Sequence, residues 1–126
     1  MLVSPMDVVL SDDTVVQPDL LYIAKDRRHL VKDRVEGSPD LVIEIISPGT
    51  SRRDRTEKLD LYAKHGVPEY WIVDPESLHI EFLLLEGDRY TVIQSTENTY
   101  RSSHNPEVEI ELEKFWEEVQ QRLNKP

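Results

Sequence analysis

One carboxylate stands where carboxylates are seldom tolerated. Glu44 sits inside Leu41-Val42-Ile43-Glu44-Ile45-Ile46, a run otherwise wholly apolar and rich in β-branched residues. Such a run reads as a strand covered on both faces, and Pro39 and Pro48 bracket it. A charge in that position is costly unless it is paired or holds a metal ion. Side chains alternate along a strand, so Asp40, Val42, Glu44 and Ile46 project one way and Leu41, Ile43 and Ile45 the other. Asp40 and Glu44 thus share a face but lie about 13 Å apart, too far to grip one ion. Glu44 needs a nearer partner from an adjacent strand. Asp19, in Gln17-Pro18-Asp19, is the candidate, against the plainer reading of an Asp that organises the turn after Pro18.

A hard divalent cation wants carboxylate oxygens, often completed by water and a backbone carbonyl. Asp19, Glu44 and the carbonyl of Ile45 can supply that set, and such an ion binds a phosphate oxygen and activates water. A lysine nearby would orient that water or offset charge developing on the phosphate. Lys58 is placed to do so, on a helix that follows the strand, with Asp54 four residues before it and Tyr62 four after it on one face. The bland alternative is an Asp54–Lys58 surface pair worth a few tenths of a kcal/mol.

Other chemistries find little. The four His are scattered without metal-ligand spacing, and four Gly make no phosphate-cradling loop. Ser47-Pro48-Gly49-Thr50-Ser51 is not a nucleophile elbow. Tyr70 and Trp71 read as core rather than as a stacking platform for bases. No cysteine is present, which excludes disulfides, Cys-ligated metals and a thiol nucleophile. A reducing, cytoplasmic setting is the simplest expectation.

The elements that must position these residues follow from patterning. Asp7–Leu10 and 15–23 read as strands. Pro18 cannot donate to a ladder, so the second lies on an edge or restarts there. Residues 24–37 read as a basic loop with a helical turn. After the 41–46 strand comes a helix over 51–65, capped by Thr50 or Ser51 and closed by Gly66. Leu59, Leu61, Tyr62 and Ala63 form its apolar stripe. Strand 69–74 completes a βαβ unit, so its two strands should be parallel. Strands 80–85 and 90–93 form a hairpin across Glu86-Gly87-Asp88. A half-exposed strand at 108–112 precedes a helix over 114–123 carrying Phe115, Trp116, Val119 and Leu123 on one face. The sum is an α/β domain with a mixed β-sheet flanked by helices.

Length and charge set the limits. The 126 residues fit one domain, 1–126, with a core of its own. The N-terminus lacks the basic start and apolar stretch of a signal peptide, and no apolar run reaches membrane-spanning length. The formal net charge is -10, which argues against coating nucleic acid by bulk charge. The charge is uneven. Residues 25–36 and 51–65 each sum to +2, and residues 107–118 hold six Glu against Lys114. Solvated faces explain any one run; a basic face beside an acidic pocket explains them together.

The stretch Pro39-Asp40-Leu41-Val42-Ile43-Glu44-Ile45-Ile46-Ser47-Pro48-Gly49-Thr50 resembles the hallmark of the Uma-two family of restriction endonuclease-like proteins. Asp54-Arg55, Lys58 and Tyr62 fit, as do Gly66-Val67-Pro68-Glu69-Tyr70-Trp71-Ile72-Val73-Asp74-Pro75 and Val16-Gln17-Pro18-Asp19-Leu20. The likeness spans about residues 7–94. It implies the PD-(D/E)XK nuclease superfamily: a restriction-endonuclease-like core and Mg²⁺-dependent hydrolysis of DNA. Carried over, Asp19 is the superfamily's Asp and Glu44 its Glu. The usual lysine slot is Ile46, so the motif is broken as written, and the resemblance moves the lysine to Lys58. Arg52, Arg53 and Arg55 would then steer the nucleic-acid backbone, with Asp40, Asp54 and Tyr62 as secondary candidates. Members carry a further N-terminal region with a helix, so the resemblance also implies a shortened form, a bare sheet face and a homodimer. Two functions compete: a metal-dependent endonuclease, and a catalytically silent module of the same fold that binds nucleic acid or oligomerises.

Overall fold

The computed structural model describes residues 2–3, 6–50, 52–94 and 97–123. Its elements are β1 (Leu2–Val3), β2 (Val8–Ser11), β3 (Thr14–Val16), β4 (Leu20–Tyr22), a 3₁₀ helix (Lys25–Leu30), β5 (Val35–Glu36), β6 (Leu41–Ile45), α1 (Arg52–Lys64), β7 (Glu69–Asp74), β8 (His79–Glu86), β9 (Arg89–Ile93), β10 (Thr99–Arg101), β11 (Glu109–Glu111) and α2 (Leu112–Leu123). Six strands form the main sheet in the order β1-β4-β6-β7-β8-β9. β6 and β7 are parallel, as a βαβ crossover requires, and the other neighbours in this sheet are antiparallel. A three-stranded sheet, β3-β2-β5, and the β10-β11 pair stand apart from it.

Strand alternation divides the core into faces. Leu41, Ile43, Trp71, Val73, Ile80 and Phe82 pack with Tyr100, and Phe115 and Trp116 of α2 cover them. On the other face, Val42, Tyr70 and Leu83 pack with Tyr62 of α1, Val67 and the partly buried Leu10 and Val16. A third cluster, Val8, Leu21, Ile23 and Val35, joins the small sheet to β4. Both faces of the main sheet are therefore packed, and the bare face expected from the resemblance is absent among the described residues. The Thr50 or Ser51 cap falls partly on Ser51, which lies outside those residues.

The helix α1 ends as its sequence indicates. Gly66 adopts φ 71°, the left-handed conformation that glycine enters without a Cβ clash. Its N–H donates to the Ala63 carbonyl at 3.1 Å, and the Val67 N–H donates to Tyr62 at 3.1 Å. This pair of bonds closes the last turn and turns the chain back toward β7. The segment 24–37 is more ordered than a loop: a 3₁₀ helix fills its first half, and β5 pairs parallel with β2.

Candidate active site

The site forms where β4 ends beside β6. Leu20 pairs with Ile43, and the same register extended two residues sets Pro18 opposite Ile45. Proline has no N–H, so the ladder cannot continue. Side chains take over its bonds. The Asp19 N–H donates to Glu44 Oε1 at 3.0 Å, and the Ile45 N–H donates to Asp19 Oδ2 at 2.8 Å. The two carboxylates are held against each other by each binding backbone of the other's strand. In a strand, a residue's N–H and C=O point to the same edge, so the Ile45 carbonyl faces the Asp19 side, where Pro18 offers it no donor.

Lys58 closes the group. Its ammonium donates to Glu44 Oε2, from a side chain half exposed, while that of Glu44 is 5% exposed. The buried charge in β6 is thus paired and also hydrogen-bonded, which meets the cost that its position imposes. Among the described residues, the ion pair of Lys58 is with Glu44 and not with Asp54. Three sequence-named residues converge here from three elements: Asp19 before β4, Glu44 in β6 and Lys58 in α1.

The secondary candidates do other work. Asp40 is 4% exposed, but its carboxylate turns away from Glu44. Its Oδ2 accepts the Ala24 N–H at 2.7 Å, and its Oδ1 accepts from Arg27 at 3.0 Å. It anchors the start of the 3₁₀ helix, because it precedes β6 and escapes the strand's alternation. Tyr62 is 1% exposed and meets Tyr70 edge to face, with ring centroids 5.1 Å apart. Burial, and after it the Glu44 charge, pushes its phenol far up, which keeps it protonated beside the site. Asp54 stays exposed on the first turn of α1. Arg53 is committed to Glu57 at 3.0 Å. Arg52 and Arg55 instead line a cleft of about 290 Å³ with Thr56, Leu59, Ile72 and Glu81. A larger cleft, about 380 Å³, lies between β8, β9 and α2, against Phe82 and Trp116 of the opposite face and away from the carboxylates.

Two acidic residues went unnoticed in the sequence. Glu69 is wholly buried, and accepts bonds from Trp71 Nε1 at 2.5 Å and Ser102 Oγ at 2.5 Å. It read as the polar start of a strand after Pro68. Glu81 lies in the 80–85 strand of the expected hairpin and was not singled out there.

The donor set suits a hard cation of few protein ligands. Among the described residues, no three His, Cys, Asp or Glu cluster as a metal-enclosing group. Two carboxylates and a carbonyl without a ladder donor fit an ion that keeps several waters, as Mg²⁺ does.

A mixed sheet with a parallel central pair, bearing two carboxylates and a lysine where one antiparallel strand stops, places the molecule among restriction-endonuclease-like α/β proteins. The chain belongs to the Uma2 family, described as "Putative restriction endonuclease", whose family model matches residues 1–120. It is similar in structure to a protein from Anabaena variabilis ATCC 29413, described as "a putative nuclease belonging to DUF820". That likeness has a TM-score of 0.69 at 18% identity, covering 92% of this chain and 67% of the other, and it bears on the fold. None of the curated proteins matches the chain.

Proposed function

We propose that the protein is a metal-dependent endonuclease that hydrolyses phosphodiester bonds in DNA. The observation that carries this is the convergence of Asp19, Glu44 and Lys58 at the broken edge of β4. Asp19, Glu44 and the Ile45 carbonyl would hold Mg²⁺ or Mn²⁺. When bound, such an ion polarises a phosphate oxygen and lowers the pKa of its water. The chain's own residues then have separate tasks. Glu44 keeps the Lys58 ammonium at the mouth of the site, where it can hydrogen-bond an attacking water or the charge that builds on the phosphate. Arg52 and Arg55, exposed on the same helix, attract the nucleic-acid backbone to a molecule whose net charge is otherwise -10. The homodimer expected from the resemblance would need another surface than a bare face of the main sheet, since both faces are packed among the described residues.

The test is cleavage of plasmid and single-stranded DNA with Mg²⁺ and with Mn²⁺, wild type beside Glu44→Ala. Wild type should nick or cut, and the variant should lose at least 100-fold in rate, the scale of a lost transition-state contact. Absence of cleavage, together with no metal binding by calorimetry, leaves the silent nuclease-fold module as the better reading.

A further inference from the structure

The cleft beside the carboxylates has a composition that a simple phosphate grip does not explain. Its α1 wall carries Arg52, Arg55 and Thr56, its floor is Leu59 and Ile72, and Glu81 stands on the far wall. Glu44, Ile72 and Glu81 form one row across β6, β7 and β8, because Glu44 pairs with Ile72 and Ile72 with Glu81. Ile80 and Phe82 belong to the α2-side core, so Glu81 between them projects to the α1 side. Its charge reaches the buried Tyr70 hydroxyl on that side. Glu81 is half-buried, and it makes no ion pair or hydrogen bond with any described residue. Its carboxylate is therefore open to solvent or to a ligand in the cleft.

We propose that this cleft takes an unpaired guanine base next to the phosphate that Lys58, with a cation on Asp19 and Glu44, would hold, and that Glu81 selects it. The inference rests on the nuclease reading for that neighbouring phosphate. Two strand spacings put Glu81 about 10 Å from Glu44 along the row, a separation that one nucleotide can span. A second phosphate does not suit the cleft, since Glu81 would repel it. A base does: Leu59 and Ile72 offer an apolar floor, and a planar guanidinium stacks on a ring face.

The choice among bases follows from donors and acceptors. An ionised carboxylate only accepts hydrogen bonds, through two oxygens side by side. Guanine alone presents two adjacent donors on one edge, the ring N–H and the exocyclic amino group. Adenine and cytosine set a single amino donor beside an acceptor, and thymine sets one N–H between two carbonyls that the carboxylate repels. Arginine completes the match, because it reads guanine O6 and N7 with its two-pronged fork. That donor edge is occupied in a duplex, so the base must come from a single strand or be turned out of the stack.

The experiment is competition in the presence of Ca²⁺, which fills a carboxylate seat for a hard cation. Each of the four deoxynucleoside monophosphates displaces a fluorescent single-stranded oligonucleotide of mixed sequence from wild type, Glu81→Gln and Arg55→Ala. Deoxyguanosine monophosphate should compete roughly tenfold better than the thymidine nucleotide on wild type, the value of one good two-point base contact. Glu81→Gln should erase that preference by weakening guanine and relieving the repulsion of thymine, and Arg55→Ala should weaken guanine most. Equal competition by all four, no competition by any, or a preference that survives Glu81→Gln overturns the inference. The nuclease reading fails separately, on the absence of Glu44-dependent cleavage.

Discussion

Glu44 and Lys58 are joined by one contact but should separate in experiment. Glu44 is nearly enclosed and Lys58 half exposed, so the lysine is the partner that can move toward substrate. Replacing Lys58 with Met removes a positive charge from beside the proposed cation ligands without touching a ligand. Mn²⁺ binding by calorimetry should therefore persist or tighten, while the cleavage rate falls by about 100-fold or more. Lys58→Arg should recover part of the rate, since charge and reach are kept. Cleavage by Lys58→Met at the wild-type rate would remove the lysine from the mechanism. The site was legible in the sequence for a physical reason: a carboxylate in an apolar β-branched run has to be compensated, and Asp19 and Lys58 were the residues in reach. Asp40, set too far from Glu44 by strand spacing, turns to the Ala24 N–H and Arg27 instead. Glu69 and Glu81 were not singled out, because each stands at or near the start of its strand, where a charge reads as reaching solvent.

The elements divide by how locally they are determined. β6, β7 and the β8–β9 hairpin carry strong apolar signals, α1 is marked by its Gly66 stop, and all fall close to their expected bounds. β5, with two residues, and β10, with three polar-leaning ones, exist through their pairing partners and leave no periodic trace. The turn between β7 and β8 holds a misfit that the sequence conceals. Asp74 Oδ1 accepts the N–H groups of Glu76 at 3.0 Å and Ser77 at 3.3 Å, which shapes the turn. These bonds, led by the Ser77 hydroxyl, hold the Asp74 carboxyl below its usual range. Next to Ser77, Leu78 has φ 54° with nearly half its surface exposed. A β-carbon in the left-handed region costs on the order of 1–2 kcal/mol, and asparagine bears it best after glycine. Leu78→Asn should thus stabilise the fold by about 1 kcal/mol in urea unfolding, seen as a higher midpoint at unchanged slope. An unchanged or lower midpoint would mean that Leu78 gains more from the cleft it lines than its backbone loses.

At the scale of the whole molecule, the acidic composition directs attention to low pH, yet the structure places a sharper transition at high pH. All five tyrosines, Tyr22, Tyr62, Tyr70, Tyr90 and Tyr100, have phenols pushed up, with burial the largest cause in each. Tyr22 is raised to about 12, helped by its bond to the Glu107 carboxylate. Tyr100, stacked on Phe82 near the Glu69 charge, is likewise raised to about 12, and the other three go further. In the unfolded chain these groups ionise near pH 10. Below that pH both states keep their protons and the full stability is present. Above it the unfolded chain releases protons that the folded one retains, so stability falls as pH rises from about 10 through 12. The five groups span both faces of the main sheet, so their ionisation cannot be confined to one corner of the fold. Phenolate absorbance of the native protein should therefore stay flat past pH 10 and then rise together with loss of the far-ultraviolet helix and sheet signal. In denaturant it should titrate near pH 10. Phenolates forming near pH 10 while the secondary-structure signal holds would show that the tyrosines are not buried as a set, and that α1 and α2 do not close over the sheet as the packing requires.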